Sequence, residues 1–436
     1  MRYSQIDNKL FIQNRKRFTE QLKPKSLAFF NSNDEMPRNG DQNFSFRQNS
    51  DFFYLSGIDQ EKSVLIIFPD CPVEKFREVL LLRETSETIA IWEGHKYTKN
   101  EATSTSGIKT VMWLDSLDAV IAEVMVHAEN VYLNTTEQLK FIPEVISRDN
   151  RFTSDLKNKY PAHNYQRSAP ILTDLRLIKS DIEISLMNEA INITEKAFRR
   201  VLKFVKPTVK EYEIQAEIEH EFILNRANGH AYHPIIASGN NANCLHYNEN
   251  NDECKSGDLI LLDFGAEYAN YCADLSRTIP VNGKYSPRQK KVYNAVLKVQ
   301  KAAIKLMVSG NTIDKLNVEV AKIMEKEMIK LGLFTKEDTN KQNAEKPFWA
   351  KYYPHGTSHF MGLDVHDVGS KQVEFKPGMV LSCEPGIYIP DENLGIRIEN
   401  DILITENGPV DLMADIPVEV EEIEGIMEGE FENLRI

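Results

Sequence analysis

The chain lacks any pair of cysteines spaced for a metal knuckle or a redox motif. Its five cysteines, at 71, 244, 254, 272 and 383, stand singly and are odd in number. A disulfide framework is therefore not expected, and a reducing, cytoplasmic location is. Basic residues are not in excess: 52 Lys and Arg against 65 Asp and Glu leave a net charge of −13. Nucleic acid and anionic membrane are poor partners for such a surface. No apolar run is long enough for a signal peptide or a membrane span. Gly-rich phosphate loops and basic patches are missing too, which argues against a metallophosphatase or nuclease. Hydrophobic residues make up 42% and charged ones 27% of 436 residues, enough to build two or three domains with true cores.

The first 170 residues mix strand-like and helical runs. Val64–Phe68 and Val79–Leu82 are short apolar runs, and Asp115 to His127 has the spacing of an amphipathic helix. This predicts a small α/β domain over 1–170. The polar stretch Asn164–Pro170 reads as a linker. From 171 to 436 the pattern is more regular. Ser180-Asp-Ile-Glu183 is a capping box for a helix that stops before Pro207, and Thr208-Val-Lys-Glu211 is a second box for a helix ending near Gly229. Ser286-Pro-Arg-Gln289 opens a third helix with Pro at its first position, and Thr312 caps a fourth that ends near Gly332.

After each helix pair comes a repeated pattern. Lys255-Ser-Gly-Asp-Leu-Ile-Leu-Leu-Asp-Phe-Gly265 and Lys376-Pro-Gly-Met-Val-Leu-Ser-Cys-Glu-Pro-Gly386 share Lys-x-Gly, an apolar run, an acid, one residue and Gly. A second acid follows on the next strand, Asp274 after Asp263 and Glu399 after Glu384. An internal pseudo-two-fold duplication is expected. Carboxylates inside apolar strands are costly unless paired or bound to metal. Four of them balance two divalent cations, which can share bridging carboxylates and a hydroxide that is nucleophilic at neutral pH. Oxygen-rich ligation with one imidazole suits Mn²⁺ and also admits Co²⁺, Fe²⁺ or Zn²⁺.

The imidazole should come from HGTSHFMGLDVHD, residues 355–367, which holds His355, His359 and His366. The spacing of His355 and His359 imitates a zinc-protease helix. That motif needs Glu at the second position, where Gly356 stands, and Gly362 further weakens a helix.

At these residues the chain resembles the metallopeptidases of the creatinase/aminopeptidase ("pita-bread") fold, and within them the Xaa-Pro aminopeptidase (aminopeptidase P) branch. The similar blocks are His246-Tyr-Asn-Glu-Asn250, Asp258–Gly265, Asp274-Leu-Ser-Arg-Thr278, the histidine segment, Glu384-Pro-Gly-Ile-Tyr388 and Gly395–Asp401. Phe46–Gly57 and Ile91-Trp-Glu-Gly94 resemble that branch as well. The resemblance implies an α+β chain: a pita-bread catalytic domain, internally duplicated, preceded by a smaller creatinase-type α/β domain. It makes Asp263, Asp274, His359, Glu384 and Glu399 the ligands of two divalent ions, Mn²⁺ first, with Asp274 and Glu399 bridging. It places His246 and His366 on the substrate, and His355, Arg397 and Tyr388 around the proline. Asp51 and Trp92 of the N-terminal domain become substrate-binding candidates. It also implies a homodimer or homotetramer. Departures occur at His95-Lys-Tyr-Thr98, where relatives often have Arg and another Gly, and at Asn400, where many have Asp.

The expected activity is removal of the residue preceding proline from the N-terminus of peptides, with attack by the metal-bridging hydroxide and Glu384 handling the proton. His355 and His366 are expected to face the substrate unliganded, free to donate or shuttle a proton. Prolidase, which cleaves only Xaa-Pro dipeptides, is the nearest rival, and Arg397 does not discriminate the two. A non-catalytic binding relative would be expected to have lost ligands or gained charged extensions. The acidic ending Glu419–Glu424 is short and reads as a solvated helix face.

Overall fold

The structure, a computed structural model, describes residues 3–137, 144–343 and 347–429. It divides into two compact units, one up to Arg176 and one from Leu177 onward.

In the first unit the apolar runs become the centre of a six-stranded sheet. Its strands are β1 (Ser26–Asn31), β2 (Val64–Ile67), β3 (Glu78–Leu82), β4 (Thr110–Trp113), β5 (Asn130–Leu133) and β6 (Asn164–Arg167), in the order β4-β3-β2-β1-β5-β6. β1 and β3 run antiparallel to β2; the β3–β4, β1–β5 and β5–β6 pairs are parallel. Alternate residues Leu27 and Phe29, Val64 and Ile66, and Val79 and Leu81 pack with Val120, Val124 and Leu156 from flanking helices. The predicted helix over 115–127 begins as a tight turn at Leu114–Ser116 and is α-helical over Leu117–Met125. The stretch expected to be a linker is instead β6, followed by a helix over Ala169–Leu177. β6 is the sheet's edge and its ends are exposed. Its polar residues suit that place, and they hide it from a hydrophobicity reading.

The second unit carries the duplication. Its first half contains α1 (Asp181–Phe204), α2 (Glu211–Leu224), β7 (Ile235–Ser238), β8 (Leu259–Phe264), β9 (Ala266–Tyr268), β10 (Tyr271–Cys272) and β11 (Leu275–Pro280). Its second half contains α3 (Pro287–Leu306), α4 (Ile313–Lys330), β12 (Val380–Cys383), β13 (Gly386–Ile389), β14 (Leu394–Arg397), β15 (Asn400–Thr405) and β16 (Gly408–Asp411). In each half a strand leads into a hairpin and then into a strand that returns beside the first: β8 pairs with β11, and β12 with β15, both antiparallel. β7 flanks β8, and a bridge from Phe360 to Leu381 takes the corresponding place beside β12.

The repeated glycines have physical reasons. Gly257 and Gly378, of Lys-x-Gly, adopt φ of +92° and +89°, a left-handed turn that a Cβ would strain. Gly265 and Gly386, after the acids, sit where the hairpin crosses close to its own backbone. A Cβ on Gly265 would lie 1.7 Å from the carbonyl oxygen of Ala273, and one on Gly386 would lie 3.0 Å from that of Ile396.

Ser180 and Ser286 form their capping boxes with Glu183 and Gln289, and Thr312 caps α4 through the Lys315 amide. The box expected at Thr208 does not form. Thr208 has φ +81°, the helix starts at Glu211, and Glu213 caps the Lys210 amide. Glu211 is buried and claimed by tertiary donors: the amides of Ser238 and Asp252, and the side chains of Ser238, Asn241 and Tyr247. The acidic ending forms a helix over Val420–Glu428, but its face is not wholly solvated. Glu424 is buried, accepting from the Tyr285 amide and Lys290.

Candidate metal centre

Each half of the duplication brings its acids to the ends of paired strands. Asp263 lies opposite Ser276, near the end of β8. Asp274 lies just before β11, and its amide donates to Asp401 at 3.2 Å. Glu384 follows β12, and its amide donates to the Thr357 carbonyl. Glu399 precedes β15 and bridges back to Ser276, whose hydroxyl donates to the Glu399 carboxylate at 2.7 Å. Beneath this, the fully buried guanidinium of Arg277 donates to the carbonyls of Ser276, Glu399 and Pro417, so the two halves share one cation as a strut.

Asp274, His359 and Glu399 each offer a ligand atom, all within 4.8 Å of one another. The His359 Nδ1–H donates to the Phe360 carbonyl at 3.2 Å. That turns Nε2 to the acids: 3.4 Å from Asp274, 3.8 Å from Glu384 and 4.0 Å from Glu399. Glu384 thus joins the cluster through His359. Asp263 joins it through Tyr232, whose hydroxyl lies 2.5 Å from both Asp263 and Asp274.

Burial raises the pKa of Asp274, Glu384 and Glu399, and the neighbouring carboxylates raise it further; Glu384 reaches about 7. Burial opposes charge on His359, but Asp274 and Glu384 outweigh it and lift its pKa to about 9. Burial and the adjacent Asp263 and Asp274 hold the Tyr232 proton well above a normal phenol's. The only guanidinium donating to any of the four carboxylates, among the described residues, is that of Arg397, on Asp263. Four acids in a buried site with so little positive charge call for cations. Their oxygens and one imidazole nitrogen fit divalent ions of the Mn²⁺, Co²⁺, Fe²⁺ and Zn²⁺ group.

Around the cluster, each of the three Arg397 nitrogens has a partner. The side chain donates to Ser276 and Tyr388 at 2.9 Å each, as well as to Asp263. His355 is not left with a free proton. Its Nδ1–H donates to the Gly356 carbonyl at 2.8 Å, and Nε2 accepts from the Tyr388 hydroxyl at 2.9 Å. Burial, then the charge of Arg397, lowers its pKa to about 4. His355 is therefore a fixed neutral ring, packed edge-on against Tyr353 and Tyr388. Both ring nitrogens are thus engaged, one with a carbonyl and one with a hydroxyl. His366 stands edge-on to His359 with ring centroids 4.5 Å apart, and His246 is exposed in a loop. In the first unit, Asp51 pairs with Arg176 at 2.7 Å and accepts from Asn134, while Trp92 is 84% exposed on the helix Glu87–Glu93.

Sequence reasoning missed Tyr232, Ser276, Arg277 and Asp401. Most of their partners lie far away in sequence, and no local spacing marks them.

Comparisons with known proteins agree with this geometry. Residues 185–406 match metallopeptidase family M24, and residues 11–132 match the aminopeptidase P N-terminal domain. The chain is similar to an Xaa-Pro aminopeptidase of Haemophilus influenzae, 35% identical over 96% of both chains. Aminopeptidase P from Escherichia coli with the inhibitor Pro-Leu is similar in structure: TM-score 0.87, 32% identity, 98% of this chain and 99% of that one. The zinc-substituted form of that enzyme in complex with product gives TM-score 0.86 at 30% identity, covering 99% of this chain and all of that one.

Proposed function

Because the chain belongs to metallopeptidase family M24 and carries an aminopeptidase P N-terminal domain, we propose that it is an Xaa-Pro aminopeptidase, a divalent-metal-dependent exopeptidase that removes the residue preceding proline from peptide N-termini. The observation that carries this reading is the buried acid–imidazole cluster at the junction of the two halves. Asp263, Asp274, His359, Glu384 and Glu399 are the residues that would hold two divalent ions.

Bound ions supply Lewis acidity and a water acidified to near-neutral pKa. The chain's own groups do the rest. Glu384 accepts the proton of the attacking water and passes it to the leaving imino nitrogen. Asp263 receives the substrate's free amino terminus, which enforces exopeptidase action. His366 and the exposed His246 donate to the substrate's carbonyl oxygens as charge develops. Tyr388 and the ring of His355 wall the site of the pyrrolidine, positioned by Arg397. The Xaa-Pro bond is a tertiary amide, and proline has no N–H. A site that asks for a shaped ring rather than an N–H donor accepts it. Asp51 and Trp92 are assigned to peptide binding.

Mn²⁺ is the working ion in this reading. The donor set supports it but equally accepts zinc, as in the zinc-substituted relative. The protein is taken to act as a homodimer or homotetramer in the cytoplasm. The scattered unpaired cysteines support that compartment, and no described helix is long and apolar enough to cross a membrane.

The second reading is prolidase, since Arg397 could serve a dipeptide's carboxylate. Incubating the Mn²⁺-loaded protein with Xaa-Pro and Xaa-Pro-Xaa peptides separates the two. The tripeptide should lose its first residue; cleavage of the dipeptide alone would overturn the aminopeptidase assignment.

A further inference from the structure

The segment that carries the site's histidines also holds a charge the reaction does not use. Asp367, next to His366, forms an ion pair with Lys179 at 3.2 Å, and both side chains are 1% exposed. The two are 188 residues apart and join the start of the catalytic unit to the histidine segment. Lys179 is itself anchored, its amide donating to the Gly378 carbonyl at 2.8 Å.

The pair closes a loop. The Asp367 amide donates to the Phe360 carbonyl at 2.9 Å, so residues 360–367 turn back on themselves. The Gly362 carbonyl accepts from the Cys272 amide at 2.9 Å, beside Asp274. Gly362 lies directly against the ion pair: a Cβ there would be 2.4 Å from Asp367 Oδ2 and 2.8 Å from Lys179 Cε. His359 precedes the loop and His366 lies one residue before its end, their rings edge to face at 4.5 Å.

A buried ion pair is weak support for stability, because desolvation offsets most of the attraction. Replacing both partners by apolar residues is often neutral, whereas removing one is costly. The placement of this pair points elsewhere. We propose that Lys179 and Asp367 are positioning residues that hold loop 360–367, and with it His366, in register over the metal cluster. This rests on the reading that His366 acts on the substrate.

The test compares Lys179→Met/Asp367→Val, Asp367→Asn and His366→Ala with the wild-type holoenzyme, measuring Tm, bound metal, kcat and KM. The double variant should keep its Tm within a few degrees and its full metal content, while kcat falls about 10²-fold and KM changes little. Asp367→Asn retains the shape and an acceptor oxygen for Lys179 but removes its counter-charge, so it should lose more Tm than the double variant. Assayed well below that Tm, it should keep its metal and show a smaller loss of kcat, which keeps the proposal open to refutation if the double variant fails to fold. A folded, metal-loaded pair variant with wild-type kcat, beside an impaired His366→Ala, would overturn this proposal and leave the role of His366 standing. A fully active His366→Ala would overturn that role and the positioning proposal with it.

Discussion

At the scale of single residues, the site is a set of groups held by partners far away in sequence. Tyr232 joins Asp263 to Asp274, and Asp401 holds the Asp274 amide. The acids themselves were legible, because a carboxylate in an apolar strand breaks a rule that sequence displays. Their supports were not, since a tyrosine in a bend or a serine in a strand breaks none. Glu384 carries the proton-transfer assignment. Glu384→Gln should fold with a near-normal Tm and lose kcat by about 10²- to 10⁴-fold; steady-state hydrolysis near the wild-type rate would remove Glu384 from that role. In the first unit, Asp149 is buried and its pKa is raised to about 7, even though Asn31 and Asn134 donate to it. Its folded-state pKa lies above the unfolded value near 4, so the folded state binds the extra proton between about pH 4 and 7. The stability this group contributes is whole below about pH 4 and is lost as pH rises through about 7, by up to about 4 kcal/mol. Asp149→Asn should flatten the pH dependence of the urea midpoint across that window; an unaltered slope would show that another group is responsible.

At the scale of elements, sequence reading succeeded where the signal was local. The capping boxes at Ser180 and Ser286 and the cap at Thr312 lie where expected, because a hydroxyl three residues before its amide partner needs nothing else. The box at Thr208 failed because Glu211 is claimed by five donors, all of them from the segment 238–252 that includes His246. The edge strand Asn164–Arg167 was missed for a related reason. Its place in the sheet comes from pairing with Asn130–Leu133, not from an apolar pattern of its own. Glu211→Ala should destabilise by about 3 kcal/mol, since it strands the two buried donors of Ser238 and three part-buried ones. It should also raise KM through disorder around His246. Chemical denaturation and steady-state kinetics check both, and a variant of wild-type stability would show that these bonds are dispensable.

At the scale of the whole molecule, the duplication was readable because both copies keep the features that their geometry requires: a left-handed glycine, an acid, and a glycine where the hairpin crosses itself. Two copies of strand, hairpin and strand bring four carboxylates together, three of them within 4.0 Å of His359. The most direct measurement removes divalent ions with a chelator and adds Mn²⁺ back stepwise, recording bound metal per chain and hydrolysis of an Xaa-Pro-Xaa peptide together. Hydrolysis should vanish in the stripped protein and return as occupancy approaches two ions per chain. Full activity with no metal bound, or a chain that takes up no divalent ion, would contradict the assignment of this cluster as the catalytic metal centre.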